Sequence, residues 1–219
     1  MPQRQTMQPL ALVKRVYELV EARELDKAVM VCLRLARSVN DTFNVIMFIR
    51  ELGPDIPQLK ISLRDETQHL SEAARTQLWQ VTQERWIQER TCQTLSSDDE
   101  GRNVLGMGVG ELFRDIENME RSIDDLQIPS GLGEYDAAAF TDQYVRLKGE
   151  MRLKIRACNE VLERVRTRCL YYATRVEGQL KANAMFTTSM PRIVSLCFRA
   201  SARRPAFLAR RTPRIMRCS

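Results

Sequence analysis

The chain has 219 residues, 44% of them hydrophobic but only 6% aromatic, with nine glycines and eight prolines. This is enough apolar material for one domain with a sizeable core, and too few turn formers for a β-rich architecture. The formal charge of +6 belongs to one end: nine basic residues and no acid follow Gly178, leaving 25 basic against 28 acidic in residues 1–177, a net of −3. The basic excess therefore says something about electrostatic partners of the tail and nothing about the fold.

In chain order, Leu12, Val13, Val16, Tyr17, Leu19 and Val20 share one face and predict an amphipathic helix over 9–22. A second helix is expected from Leu25 to Arg37, with Leu25, Ala28, Val29, Cys32, Leu35 and Ala36 as its stripe and Asp26 near its positive end. "SVND" then breaks the pattern, and Asn40 or Asp41 can cap the helix "TFNVIMFIREL", which is apolar nearly all round and so belongs in the core. "GPDIP" ends it, with Gly53 at C′ and Pro54 unable to continue.

From Asp65 to Leu95 a polar-rich helix is expected, with Leu70, Ala74, Leu78, Val81 and Trp86 as contacts. "SSDDEGRN" reads as a loop. After "GMGVG" a further helix carries Leu112, Phe113, Ile116, Met119, Ile123 and Leu126, and "IPSGLGE" breaks it. Apolar residues then recur in steps of three and four from Phe140 through Cys158, Leu162, Val165, Cys169, Tyr172 and Val176 to Leu180. The mean step is about 3.6, the straight-helix period. Residues 136–183 are one long helix, or two with a break near Gly149. The fold class is all-α: a bundle of six or seven helices with a long C-terminal helix over 9–183, and a basic, disordered tail over 184–219.

Six cysteines (32, 92, 158, 169, 197 and 218) are scattered without CxxC or metal-ligand spacing, which reads as reduced, buried thiols in an intracellular protein. "MPQRQTMQPL" lacks the apolar region of a secretory signal, and "FNVIMFI" is too short to span a bilayer. The expected location is cytoplasmic, without a transmembrane segment.

Little of the sequence has the spacing of an active site. "GMGVG" (106–110) opens a helix where a phosphate loop would sit, but no Lys-Ser/Thr follows and no credible strand precedes it. A flexible helix entry is the simpler reading. "ETQH" (66–69) is a Glu-x-x-His, yet a di-iron bundle needs two such units and His69 is the only histidine. Read as a surface residue, His69 also leaves no Ser-His-Asp or Cys-His nucleophile. "SDDE" (97–100) and Asp124-Asp125 read as solvated or capping charge. No catalytic residue, metal ligand or cofactor is assigned, and a non-enzymatic role is favoured.

"ERVRTRCLYYATRVE" (163–177) sets Arg164, Arg168 and Arg175 on one side of an apolar stripe and Arg166 on the other. Three readings stay open: stems covering apolar surface with guanidinium groups paired to neighbouring acids, an anion or nucleic-acid contact, or a contact to a partner protein.

Two stretches resemble the AbiTii-type domain of bacterial abortive-infection (phage resistance) proteins. In "LRLARSVNDTFNVIMFIRELG" (33–53), Leu35-Ala36, Val39-Asn40-Asp41 and Glu51-Leu52-Gly53 match in order and spacing. Met47 stands where that family usually has tryptophan, and Gly53-Pro54 replaces Asn-Gly-Tyr. In "VLERVRTRCLYYATRVE" (161–177), Val161, Leu162, Val165, Arg166, Arg168, Leu170, Ala173 and Glu177 fall in register with the family's late helix. "LFRDIENMERSI" (112–123) loosely resembles an intervening segment. The resemblance covers 9–183 and implies an all-α module of antiviral defence, acting as a sensor or through protein contacts, with no catalytic residues to carry over. The alternatives are a nucleic-acid binder using Arg164, Arg166, Arg168, Arg175 and the basic tail, and a structural oligomer with the 140–180 stripe as its seam. A protein partner or self-association is the expected mode of action, with nucleic acid as the alternative partner.

Overall fold

The computed structural model describes residues 8–53, 56–92, 103–127 and 134–189. Among them the chain forms seven helices and one two-residue strand pair: α1 (Pro9–Glu21), α2 (Leu25–Ser38), α3 (Thr42–Glu51), α4 (Ile56–Glu66), α5 (Glu72–Arg90), β1 (Thr91–Cys92), β2 (Asn103–Val104), α6 (Val109–Asp125) and α7 (Glu134–Ser189). The all-α expectation holds. The chain divides after Glu177 into two compact units. The packing below belongs to the first.

The first three helices end in the same way. Arg23, Asn40 and Gly53 adopt left-handed backbone, at φ 61°, 56° and 73°. After α1 the Glu24 amide donates to the Leu19 carbonyl at 2.9 Å, and after α2 the Asp41 amide donates to Ala36 at 2.9 Å. These Schellman bonds satisfy carbonyls that a helix end leaves open. Only Gly53 is a residue for which that conformation is free of strain. Asp41, one of the two residues expected to cap α3, does so: its carboxylate accepts from the Asn44 amide at 3.2 Å.

The core lies where α1, α2 and α3 meet the middle of α7. Val16, Ala28, Val29, Cys32, Leu35, Ala36, Ile46 and Phe48 are buried, and Ala157 to Val176 of α7 supplies the other side through Cys158, Val161, Val165, Cys169, Tyr172 and Ala173. Phe48 and Tyr172 meet edge to face with centroids 5.2 Å apart, an arrangement worth about 1 kcal/mol beyond the area it buries. At the surface the Tyr17 hydroxyl donates to Glu177 at 3.0 Å, tying α1 to α7.

Two expectations change. The helix expected over 65–95 begins only at Glu72, and α4, of which that expectation covered only the last two residues, precedes it. α4 ends at Glu66, where the Thr67 hydroxyl bonds back to the Leu63 carbonyl at 2.5 Å, and α5 restarts with Ser71 capping the Ala74 amide at 3.3 Å. Side-chain hydrogen bonds to the backbone compete with the helix ladder there and win. The buried face of α5 is also rotated from the expected one: Val81 is exposed, whereas Thr82 and Arg90 are buried. The choice left open for α7 resolves to a single helix. A Cβ on Gly149 would meet nothing within 4 Å, so this glycine marks no close packing. One exposed glycine costs only about 1 kcal/mol relative to alanine.

The long stripe of α7 is buried unevenly. Residues from Cys158 to Val176 are buried, Tyr144, Leu147, Met151 and Ile155 are half-buried, and Phe140 is exposed. Among the described residues no helix is long and apolar enough to cross a membrane. The "SSDDEGRN" and "IPSGLGE" breaks lie largely, and Pro54, Cys197, Cys218 and the tail beyond Ser189 wholly, outside the described residues.

Candidate functional site

The four arginines singled out on α7 do not form a common face. Arg168 reaches the Glu51 carboxylate at 2.5 Å and also pairs with Glu89. Glu51 in turn accepts from Arg90, whose guanidinium donates to the Met107 carbonyl at 2.6 Å and lies 5.2 Å from the Trp86 ring centroid. Glu51 and Arg90 are 0% and 1% exposed. The result is a buried Arg–Glu–Arg triad joining α3, α5, α7 and the loop before α6.

Arg164 donates to the carbonyls of Glu89 and Thr91 at 3.0 and 2.9 Å, completing the C-terminal end of α5. Arg175 pairs with Asp41 at 2.5 Å and lies over the Tyr172 ring, centroid distance 5.2 Å. Burial raises the Tyr172 phenol, with Asp41 adding to the shift. Arg166 is the freest of the four. Among the described residues its one ion pair is with Glu163 on its own helix at 3.4 Å, and with Arg23, Asn159 and Phe113 it lines a pocket of about 310 Å³.

The glycine-rich loop is a packing device. A Cβ on Gly53 would lie 2.6 Å from the Gly108 Cα, and one on Gly108 would lie 2.8 Å from both Gly53 Cα and the Leu52 carbonyl. The end of α3 therefore touches the start of α6 backbone to backbone, and the Gly108 amide donates to the Glu111 side chain at 2.9 Å. A two-residue strand does precede this loop, unlike the expectation, but Gly108 is already committed. "ETQH" does not lie on one helix: Glu66 ends α4 and pairs with Arg37, while His69 is exposed in the following turn. Among the described residues no cluster could hold a metal ion. Cys32, Cys92, Cys158 and Cys169 are free and buried. Burial raises the first three above the ordinary thiol range, so the reactive thiolate is disfavoured. Asp124 and Asp125 are exposed at the end of α6, and "SDDE" (97–100) lies outside the described residues.

A different cluster has an unbalanced charge. Lys60 and Arg64 of α4 face Glu72, Arg75, Thr76 and Trp79 of α5 across a groove of about 560 Å³. Among the described residues Lys60, Arg64 and Arg75 have no carboxylate partner, and the Arg75 Nε is buried without a hydrogen bond. Behind Trp79 lies Arg50, 7% exposed, its guanidinium 4.2 Å from the indole centroid and 3.4 Å from the Trp79 carbonyl. Burial with no balancing carboxylate lowers Arg50 to about 10.

No family model, curated protein or solved structure matches this chain.

The described residues present no nucleophile–base pair and no clustered carboxylates. They present a triad that ties the bundle together, a half-open groove with cations in excess, and an exposed strip around Tyr171, which is 71% exposed beside Arg85 and Arg164. Sequence reading missed the α4–α5 groove because it placed one helix across the turn that creates it. The available signal was four cations (Arg50, Lys60, Arg64 and Arg75) within 26 residues, with Trp79 four positions after the last.

Proposed function

We propose that this chain is a non-enzymatic helical module of an antiphage abortive-infection system, working through contacts with a protein partner. The observation that supports the reading is the ion pair between Glu51 and Arg168. Each belongs to one of the two stretches that resemble the AbiTii-type domain, and 117 positions separate them. The defence process itself comes from the resemblance, and fold alone does not imply it.

The protein-contact mode rests on the surface. Tyr171 stands exposed between Arg85 and Arg164, the tyrosine–arginine composition enriched where truncation costs binding most. The nucleic-acid reading keeps less support on α7, since Arg164, Arg168 and Arg175 are engaged within the fold. The seam reading keeps only the stretch from Phe140 to Ile155, because the stripe beyond it is used internally.

The test is plating efficiency of a diverse phage panel on bacteria expressing the full chain, its Tyr171→Ala variant, or neither. The full chain lowers plating of at least one phage, and Tyr171→Ala restores it while accumulating to the same level. Unchanged plating at every expression level overturns the defence reading. Protection undiminished by Tyr171→Ala overturns the assigned contact surface.

A further inference from the structure

We propose that the groove between α4 and α5 binds a nucleoside phosphate, with Lys60, Arg64 and Arg75 holding its phosphates and Trp79 flanking its base. This inference rests on the groove alone, so its failure would leave the defence reading standing, and the reverse.

Charge balance is the first argument. Residues 1–177 carry a net charge of −3, and several of their cations pair with acids, as Arg37 does with Glu66, Arg85 with Glu89, Arg168 with Glu51 and Arg175 with Asp41. In the groove three cations face one carboxylate, Glu72, and do not pair with it. Like charges gathered without counter-ions repel one another, and their local field attracts an anion.

Arg50 is the second. A buried guanidinium with no carboxylate partner is an uncompensated charge, and such charges are ordinarily paired. Among the described residues the one hydrogen bond of its guanidinium is to the Trp79 carbonyl, and the planar group lies over the indole. It holds the ring in the groove wall and adds a fourth positive charge behind it. A phosphate held by Lys60, Arg64 and Arg75 brings negative charge to this wall of the groove.

The remaining features choose among anions. A volume of about 560 Å³ falls within the range of about 300–1,000 Å³ typical of small-molecule sites. It is larger than inorganic phosphate needs. Among the described residues Trp79 is the one aromatic lining the groove, a platform for one base rather than for a strand of them. Glu72 can accept from a ribose hydroxyl or a base amino group, but it would repel a continuous phosphate track. The Thr76 hydroxyl donates to the Glu72 carbonyl at 3.0 Å, which leaves its oxygen free to accept from the ligand.

The experiment uses the full chain and its tryptophan emission. The chain has two tryptophans, so a Trp86→Phe variant reports on Trp79 alone. ATP, GTP, adenosine, inorganic tripolyphosphate and a single-stranded oligonucleotide are titrated with calorimetry in parallel. At least one nucleotide binds more tightly than tripolyphosphate or adenosine and quenches Trp79. The double variant Lys60→Gln/Arg64→Gln, at two exposed positions, weakens that binding by about tenfold or more while its circular dichroism is unchanged. No binding at millimolar nucleotide overturns the proposal, as does equal affinity for tripolyphosphate. An undiminished affinity in the double variant assigns the binding to the basic tail instead. Tighter binding of the oligonucleotide, lost in the double variant, makes the groove a polynucleotide track and overturns the nucleotide assignment.

Discussion

The Glu51 carboxylate, at the last residue of α3, is held between the guanidinium groups of Arg90 and Arg168, so a single buried acid joins three helices that are distant in sequence. Arg90 also donates to the Met107 carbonyl at 2.6 Å and Arg168 also pairs with Glu89, whereas the buried Arg90 Nε has no hydrogen bond among the described residues. Coulombic attraction offsets the desolvation of such a group only when its hydrogen bonds are complete.

Removing the acid is therefore costly. Glu51→Ala leaves the buried Arg90 without its carboxylate and Arg168 with Glu89 alone, and should destabilise the bundle by about 3–5 kcal/mol. Arg146→Ala, at a pair whose side chains are 82% and 60% exposed, should change stability by less than about 0.5 kcal/mol. Urea unfolding of both variants separates the two cases. Equal effects would mean that the triad contributes no more than a surface pair.

Gly108 provides a second contrast within one short motif. Its φ of −69° is open to any residue, so the cost of a side chain there comes from the Gly53 backbone, 2.8 Å from the new Cβ. Gly108→Ala forces α3 and α6 apart and should cost about 2–4 kcal/mol, in the range of other backbone and packing disruptions. Gly110→Ala, inside the first turn of α6 with open space around it, should stabilise by about 0.5–1 kcal/mol. Thermal melting of the two single variants should shift in opposite directions.

Alkaline pH should weaken the fold through its buried thiols. Burial raises Cys92 and Cys158 above their usual 9.0. Below that pH both states hold the protons, so the contribution is fully present. Above it the unfolded chain releases protons that the folded chain keeps, and stability falls by up to about 1.4 kcal/mol per pH unit per thiol until the folded thiols ionise. Arg50 works the other way, because its lowered value of about 10 lets the folded chain release a proton first and adds stability above that pH. In denaturation midpoints measured between pH 8 and 10, Cys92→Ala/Cys158→Ala should flatten the decline. An unaltered decline would place its origin in other groups.

The helices that carry the core were legible in the sequence because their information is local. α1, α2, α3 and the buried middle of α7 each show an apolar period that any chain must bury, and Asp41, Gly53 and the polar "SVND" punctuate them where the caps are found. The polar half of the bundle was not legible. Between Asp65 and Arg90 helix propensity is high throughout, and only the Thr67 and Ser71 side chains, bonded to backbone, decide that there are two helices with a groove between them. Nor could spacing reveal that Gly108 meets Gly53, that Arg164 completes the end of α5, or that Glu51 finds Arg168 across 117 positions. For α1 to α3 and the middle of α7 the apolar period already specifies which surface leaves water, since that period is a property of neighbouring residues. Tertiary structure alone decided which charges are paired and which stay open in the α4–α5 groove, because an ion pair depends on distances that the chain sets only after its helices have packed.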